Sequence, residues 1–448
     1  MELRDLPSVS ELIAALESVG APRDITAEVA RRSIDTAREQ IGRGGRPDPI
    51  VLARAELAGF LRRRPTEVLN AAGVLLNTNL GRAPLHSAAA AAASGALAGY
   101  GNVEYDLATG QRGSRGAYLN DLVAAQTGAE AALVVNNNAG ALFLILAALG
   151  VDRQVVISRG ELIEIGGSFR LPELMAAAGV WLVEVGTTNR TRTDDYAAAV
   201  RPETAMILKV HPSNYRTAGF TEEAGYEALA DLAHRRHLPF VADIGSGLLD
   251  TEVPWLSGPP PAWVQGEPAA RQTLAAGADL VLFSGDKHLG GPQAGVIAGR
   301  ADLVERLGKH PIARGVRCDG STLAALATTL ELYADGRGSE IPFWAMAAIP
   351  AEDLEARSAA VAEAVGADAE VITGESVVGA GSVPGQTIPG PVIRFPGLAG
   401  EAVWRRLLAG DPPVVARRRE GDLVVDLRTV PPELDAVLTA ALTDACRS

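Results

Sequence analysis

Residues 284–295 read SGDKHLGGPQAG and place a lysine, Lys287, inside a glycine-rich turn. Lysine is scarce in this chain: of 41 basic residues only Lys209, Lys287 and Lys309 are Lys, which leaves 38 Arg. An amine can lose its proton and become a nucleophile, whereas a guanidinium in a protein effectively cannot. Lys287 therefore reads as a position where arginine cannot substitute, with an ordinary lysine as the alternative. Polar residues follow other apolar runs in the same way. Asn136, Asn137 and Asn138 follow AALVV (131–135), and His211, Pro212, Ser213 and Asn214 follow TAMILKV (204–210). Asp243 closes LPFVAD (238–243), and Ser284 closes ADLVLFS (278–284), with Asp286 and Lys287 just beyond it.

A buried carboxylate at a strand end needs a partner. For Asp243 that partner is either its own turn, since DIGSG suits an Asx turn, or the protonated ring nitrogen of pyridoxal phosphate. That cofactor needs a lysine amine, an acid for its pyridinium and an anion site for its phosphate. Asn136, Asn137 and Asn138, at a strand end and a helix start, would supply the anion site through backbone N–H groups and the helix dipole. Ser213 and the Ser284 hydroxyl, three residues before Lys287, complete the set. Gly290, Gly291 and Gly295 let backbone approach closely, or form a plain tight turn between two strands.

These residues need a scaffold that gathers strand ends. Seven apolar runs, at 131–135, 154–158, 180–185, 204–210, 238–243, 278–284 and 294–299, alternate with helical segments such as 221–235. That rhythm predicts a largely parallel sheet with helices on both faces, and such sheets collect ligands at the carboxyl ends of their strands. Residues 1–64 read as a small helical domain, 65–338 as the catalytic domain and 339–448 as a smaller α/β domain ending in a helix at 431–446. The Pro-rich stretch 251–272 reads as a loop.

Composition narrows the partners. The opening residues carry early acids and no long apolar run, and no stretch of about 18 uncharged apolar residues follows, so neither a signal peptide nor a membrane span is expected. Two cysteines, Cys318 and Cys446, form no framework, which suits a reducing cytoplasm. Six scattered histidines show no metal-binding spacing. Net charge is −13, which disfavours binding of nucleic acid by the chain as a whole. Residues 1–64, however, hold 11 Arg against 10 Asp or Glu, a local +1 that leaves −14 for the remainder. Arg31, Arg32 and Arg38 lie on one helical stretch there and are read either as a basic face or as a solvated surface.

Several long motifs carry a resemblance: NTNLGRAPL (77–85), VEYDLATGQRGSR (103–115), NNNAGALFL (136–144), SRGELIEIGGSFRLPELM (158–175), EVGTTNRTR (184–192), KVHPSNYR (209–216) and the Lys287 segment. With LRDLPSVSELI near the start, they make nearly the whole chain similar to the bacterial selenocysteine synthases, the L-seryl-tRNA(Sec) selenium transferases. The resemblance implies the pyridoxal-phosphate-dependent transferase fold type I, with a largely parallel seven-stranded sheet. It implies that Lys287 holds the cofactor and Asp243 faces its ring nitrogen. The reaction it implies converts seryl-tRNA(Sec) to selenocysteinyl-tRNA(Sec), through a cofactor-bound aminoacrylate that takes selenium from selenophosphate. Arg82, Arg314 and Arg317 are the expected binders of that anion. Arg112 and Arg115 are alternatives, or anchors for a neighbouring subunit's cofactor. Each arginine read alone also has a purely structural explanation. Homo-oligomers are implied, dimers and often pentamers of dimers, with tRNA gripped partly by the N-terminal domain; neither DNA nor a membrane is an expected partner. The chain departs from the family pattern at His288, where an apolar residue is usual, at Asn77 in place of His, and at Gly320 in place of Lys. Two other readings stay open on these residues: a small-molecule lyase or aminotransferase-like enzyme on the same fold without tRNA, and a non-catalytic regulator that binds the cofactor.

Overall fold

The computed structural model describes residues 5–165, 169–366, 368–379, 383–398 and 400–446. The chain separates into two compact units, one ending at Val68 and the other beginning at Leu69.

The first unit is helical. α1 (Val9–Leu16) opens with a capping box in which Ser8 and Glu11 satisfy each other's backbone N–H groups. α2 runs Arg23–Gly42. The Gly/Pro break at 43–49 ends in Asp48, whose side chain caps α3 (Pro49–Leu61) with Pro49 at the first turn. Leu12, Leu16, Val29, Ala30, Ile34, Ala53 and Leu57 form its core. Burying each of the larger of these contributes about 1.5–3 kcal/mol, so the three helices hold together by their shared apolar faces.

The second unit is built on a seven-stranded sheet. Its strands are β1 (Ala131–Val135), β2 (Gln154–Ser158), β3 (Trp181–Val185), β4 (Thr204–Val210), β5 (Phe240–Gly245), β6 (Leu280–Ser284) and β7 (Gly295–Gly299). All seven apolar runs read from the sequence are in it. The spatial order is β1, β7, β6, β5, β4, β2, β3, with β7 alone antiparallel to its neighbours. Every residue of β4, β6 and β7 is buried, as expected for strands covered on both faces.

Register aligns the strand ends that matter. Val210 pairs with Asp243 across β4 and β5. Ser284 pairs with Gly295, which pairs with Val135, so the Lys287 turn lies beside the entry to α4 (Asn138–Gly150). Closeness there depends on glycine: a Cβ at Gly295 would fall 2.2 Å from the Asn137 carbonyl oxygen.

Elsewhere the elements differ from expectation in detail. The helix expected at 221–235 starts only at Tyr226, forming α5 (Tyr226–Arg235). The 251–272 stretch is not all loop, since it contains a 3-10 turn at Ala262–Val264 and a helix from Ala270. The C-terminal strands are joined by Val74–Leu76 from far upstream, in a five-stranded sheet. The sequence placed boundaries after 64 and 338, whereas contacts keep Leu69 onward as one unit.

Candidate active site

Among the three lysines, two are committed to acids. Lys209 Nζ sits 3.0 Å from Glu161 and 3.3 Å from Glu223, over the Tyr226 ring. Lys309 pairs with Glu305 on the exposed side of a helix. The Lys287 amine makes no hydrogen bond or ion pair among the described residues, although the residue is buried. It borders a cavity of about 700 Å³ at the carboxyl ends of β4, β5 and β6. Burial, then the nearby Arg82 charge, pushes its amine below the ordinary lysine value, against the opposing pull of Asp243 and Asp286. A buried, unpartnered amine with a depressed pKa is the form a nucleophile needs.

Asp243, at the end of β5, lines the same cavity. Its Oδ1 accepts from Asn138 Nδ2 at 2.9 Å and from the Gly245 N–H at 3.0 Å. The Gly245 contact is the Asx turn that DIGSG suggested, so the turn and the cavity-facing position coexist. Burial pushes the carboxyl up to about 6, although the Asn138 amide and the Lys287 charge both pull it down. A cation brought against it, such as a protonated ring nitrogen, would offset that penalty.

The three asparagines have separate places. Asn137 caps α4, its Oδ1 accepting from the Gly140 N–H at 2.8 Å. Asn138 orients Asp243, and its own Oδ1 is buried without a partner. Asn136 does not reach the cavity: it is exposed, and its N–H is used by the Val316 carbonyl at 2.7 Å. Ser213 and Ser284 both line the cavity and are buried, with neither hydroxyl hydrogen-bonded among the described residues. Two free hydroxyls and the first turn of α4 thus face a common space beside Lys287.

Of the five arginines proposed from sequence, only Arg82 lines this cavity. Its Nη1 lies 2.5 Å from Asp286 Oδ2, and its backbone holds φ 66°, a strained value for a residue with a Cβ. Arg112, Arg115 and Arg317 instead converge on one carboxylate, Glu104, at 2.9, 3.0 and 3.2 Å. The hydrogen bond from Arg115, then the Arg112 and Arg317 charges, hold Glu104 below its usual value against the opposing effect of desolvation. Arg314 is exposed, on the short helix Pro311–Gly315, with no acid partner among the described residues.

Sequence reading did not give roles to three further residues. Asp286 ties down Arg82. His211 lines the cavity beside Asp243, and its Nε2 lies 3.3 Å from the buried Glu267. Glu267 lies in the stretch read as loop, where no periodicity marks it. His288, the departure beside Lys287, is fully buried between Phe343 (ring centroids 5.3 Å apart) and Trp263 (5.6 Å). It faces away from the chemistry, in an aromatic cluster.

The residues present fit pyridoxal phosphate. The cavity offers an unpartnered amine, a buried acid that lacks a cation, two free hydroxyls and a helix start, and it contains orphaned polar atoms at Asn138 Oδ1 and Asp286 Oδ1. Among the described residues no cluster could hold a metal ion.

Comparison with known proteins agrees. The structure of D-glucosaminate-6-phosphate ammonia-lyase superposes with a TM-score of 0.61 over 87% of this chain and 98% of that one, at 21% identity. That likeness concerns the fold, which is the fold type I of pyridoxal-phosphate enzymes. A profile of the L-seryl-tRNA selenium transferase family matches residues 68–431. The L-seryl-tRNA(Sec) selenium transferase of Solidesulfovibrio magneticus is 42% identical, aligned over 99% of this chain and 98% of the relative. The Moorella thermoacetica enzyme is 43% identical over 99% and 97%, and the Aquifex aeolicus enzyme 39% identical over 96% and 95%. Identity at this level spans both compact units as well as the Lys287 cavity, and on that ground the chain belongs to the L-seryl-tRNA(Sec) selenium transferase family.

Proposed function

We propose that this chain converts L-seryl-tRNA(Sec) to L-selenocysteinyl-tRNA(Sec), with pyridoxal phosphate held on Lys287 and selenophosphate as the selenium donor. The observation that carries the cofactor assignment is the contrast among the lysines, since Lys287 alone is buried without a partner. Family membership carries the substrate assignment.

When bound, the cofactor supplies an electron sink that makes the serine α-proton acidic and its β-hydroxyl a leaving group. The chain's residues supply the rest. Asp243, fixed by Asn138 and its own turn, holds the positive charge on the ring nitrogen. Ser213, Ser284 and the first turn of α4 hold the phosphate, with Asn137 keeping that helix end in place. The Lys287 amine, whose pKa burial and the Arg82 charge lower, would accept the α-proton. Arg82, tethered by Asp286, faces the incoming anion at the cavity wall. Arg314 and Arg317 lie outside this cavity, as do Arg112 and Arg115, so in this reading their anion site is completed by assembly with a second copy. Residues 1–64 contact tRNA, and the protein acts in the cytoplasm, where its tRNA substrate is. Among the described residues no helix is long and apolar enough to cross a membrane.

The test of the cofactor assignment is chemical labelling. Borohydride reduction of the pyridoxal-phosphate-loaded protein followed by peptide mapping should place the pyridoxyl group on Lys287, and Lys287→Ala should abolish the visible absorbance. A label on Lys209 or Lys309 refutes the assignment.

A further inference from the structure

A second cavity, of about 730 Å³, lies against the first at the carboxyl ends of β2, β3 and β4, and His211 lines both. We infer that this cavity receives the terminal nucleotide of the acceptor end, with Tyr215 as the platform for its base and Arg216 as the contact for its phosphate. The inference rests on the function proposed above and extends it to a site of its own.

Covalent geometry requires a nucleotide in this neighbourhood. Three bonds separate the serine nitrogen from the ribose oxygen that carries the ester, a reach of under about 4 Å. With serine beside Lys287, the terminal ribose must sit at the edge of the first cavity. The space across His211 is large enough for the nucleoside that follows.

The charges there are already spoken for, with one exception. Lys209 is held by Glu161 and Glu223, Arg190 by Glu222, and Glu267 by His211. Arg216 has no acid partner among the described residues; its fork rests on the Gln386 amide oxygen, at 2.9 and 2.5 Å once that amide is turned to face it. A guanidinium on a neutral acceptor at a cavity wall is free to exchange it for a phosphate. Tyr215 also lines the cavity, is 37% exposed, and is anchored through its hydroxyl to the Gly160 carbonyl. An anchored, part-exposed aromatic ring suits base stacking. Glu267 points to a ligand independently. It is 4% exposed, it lines the cavity, and its Oε1 has no partner, so it can accept from a ribose hydroxyl or a base amine.

The probe is adenosine 5′-monophosphate, bound to the full-length protein loaded with pyridoxal phosphate and followed by saturation-transfer NMR. The wild type should bind it. Arg216→Ala and Tyr215→Ala should each weaken binding about tenfold, with Arg216→Lys intermediate, while the visible absorbance of the cofactor stays unchanged in all three. The KM for serylated tRNA(Sec) should rise in parallel. Absence of AMP binding, or equal affinity in wild type and both alanine variants, overturns the inference. A wild-type protein that binds AMP through these residues yet converts no seryl-tRNA(Sec) would leave this site standing and refute the proposed function instead.

Discussion

Asp243 carries an unusual ionisation for a strand-end acid, and the direction has a consequence. Its folded pKa, about 6, is above the ordinary 3.8, so the folded state holds its proton more tightly than the unfolded chain does. The stability linked to that proton is present at low pH and is lost as pH rises through about 6. Asp243→Asn keeps an acceptor for Asn138 and Gly245 but removes the buried charge. In the cofactor-free protein it should raise stability at pH 8 by up to about 3 kcal/mol, at roughly 1.4 kcal/mol per pKa unit, and by about half of that at pH 5. Urea titrations at the two pH values check this, and no gain at pH 8 would show that the carboxylate is not penalised. The same variant should lose turnover, because an amide cannot balance the ring nitrogen's charge. His288 offers a second test. Burial drives its pKa down to about 4, and neither ring nitrogen has a partner among the described residues. His288→Leu should therefore preserve cofactor loading and raise stability by about 1 kcal/mol, read as a higher Tm. A lower Tm would show that the ring's stacking on Phe343 outweighs its unmet hydrogen bonds.

Among the elements, α2 shows how the arginines of the first unit are partnered. Arg31, Arg32 and Arg38 share a helical stretch, but Arg32 is held by Glu28 and Glu56, and Arg38 by Asp35 at 2.7 Å. The basic surface of the first unit is better represented by Arg62, Arg63 and Arg64 after α3, which are exposed and make no ion pair among the described residues. If this unit contacts tRNA phosphates, replacing these three with alanine should weaken tRNA(Sec) binding and reduce the slope of log K against log salt by about two to three. Replacing Arg32 and Arg38 should leave the slope nearly unchanged. Equal slopes for the wild type and the 62–64 variant would remove these arginines from the interface. Helix caps and ion pairs of this kind are only partly visible in sequence: Ser8 with Glu11 and Asp48 with Pro49 are local signals, whereas Arg32 with Glu56 spans two helices.

For the whole molecule, what was legible followed from locality. Seven apolar runs with short turns specify strands, and the alternation with helices specifies a mostly parallel sheet, so the strand ends bearing Asn137, Asn138, Ser213, Asp243, Ser284 and Lys287 could be expected together. Each of those six lines the one cavity. Arg112, Arg115 and Arg317 meet at Glu104 outside the cavity, and the Arg317 contact was not legible because the two residues lie far apart in sequence. Glu267 was hidden in a Pro-rich stretch, and Asn136 was lost because its N–H pairs with Val316, a contact that no local pattern announces. The central claim joins the Lys287 cavity to a tRNA-borne serine, and a single reaction tests it. Purified protein loaded with pyridoxal phosphate is mixed with serylated tRNA(Sec) and selenophosphate, and the aminoacyl ester is released and weighed by mass spectrometry. The account predicts selenocysteine in place of serine with the wild type and unchanged serine with Lys287→Ala. Unchanged serine with a wild-type protein whose cofactor is demonstrably on Lys287 would contradict it.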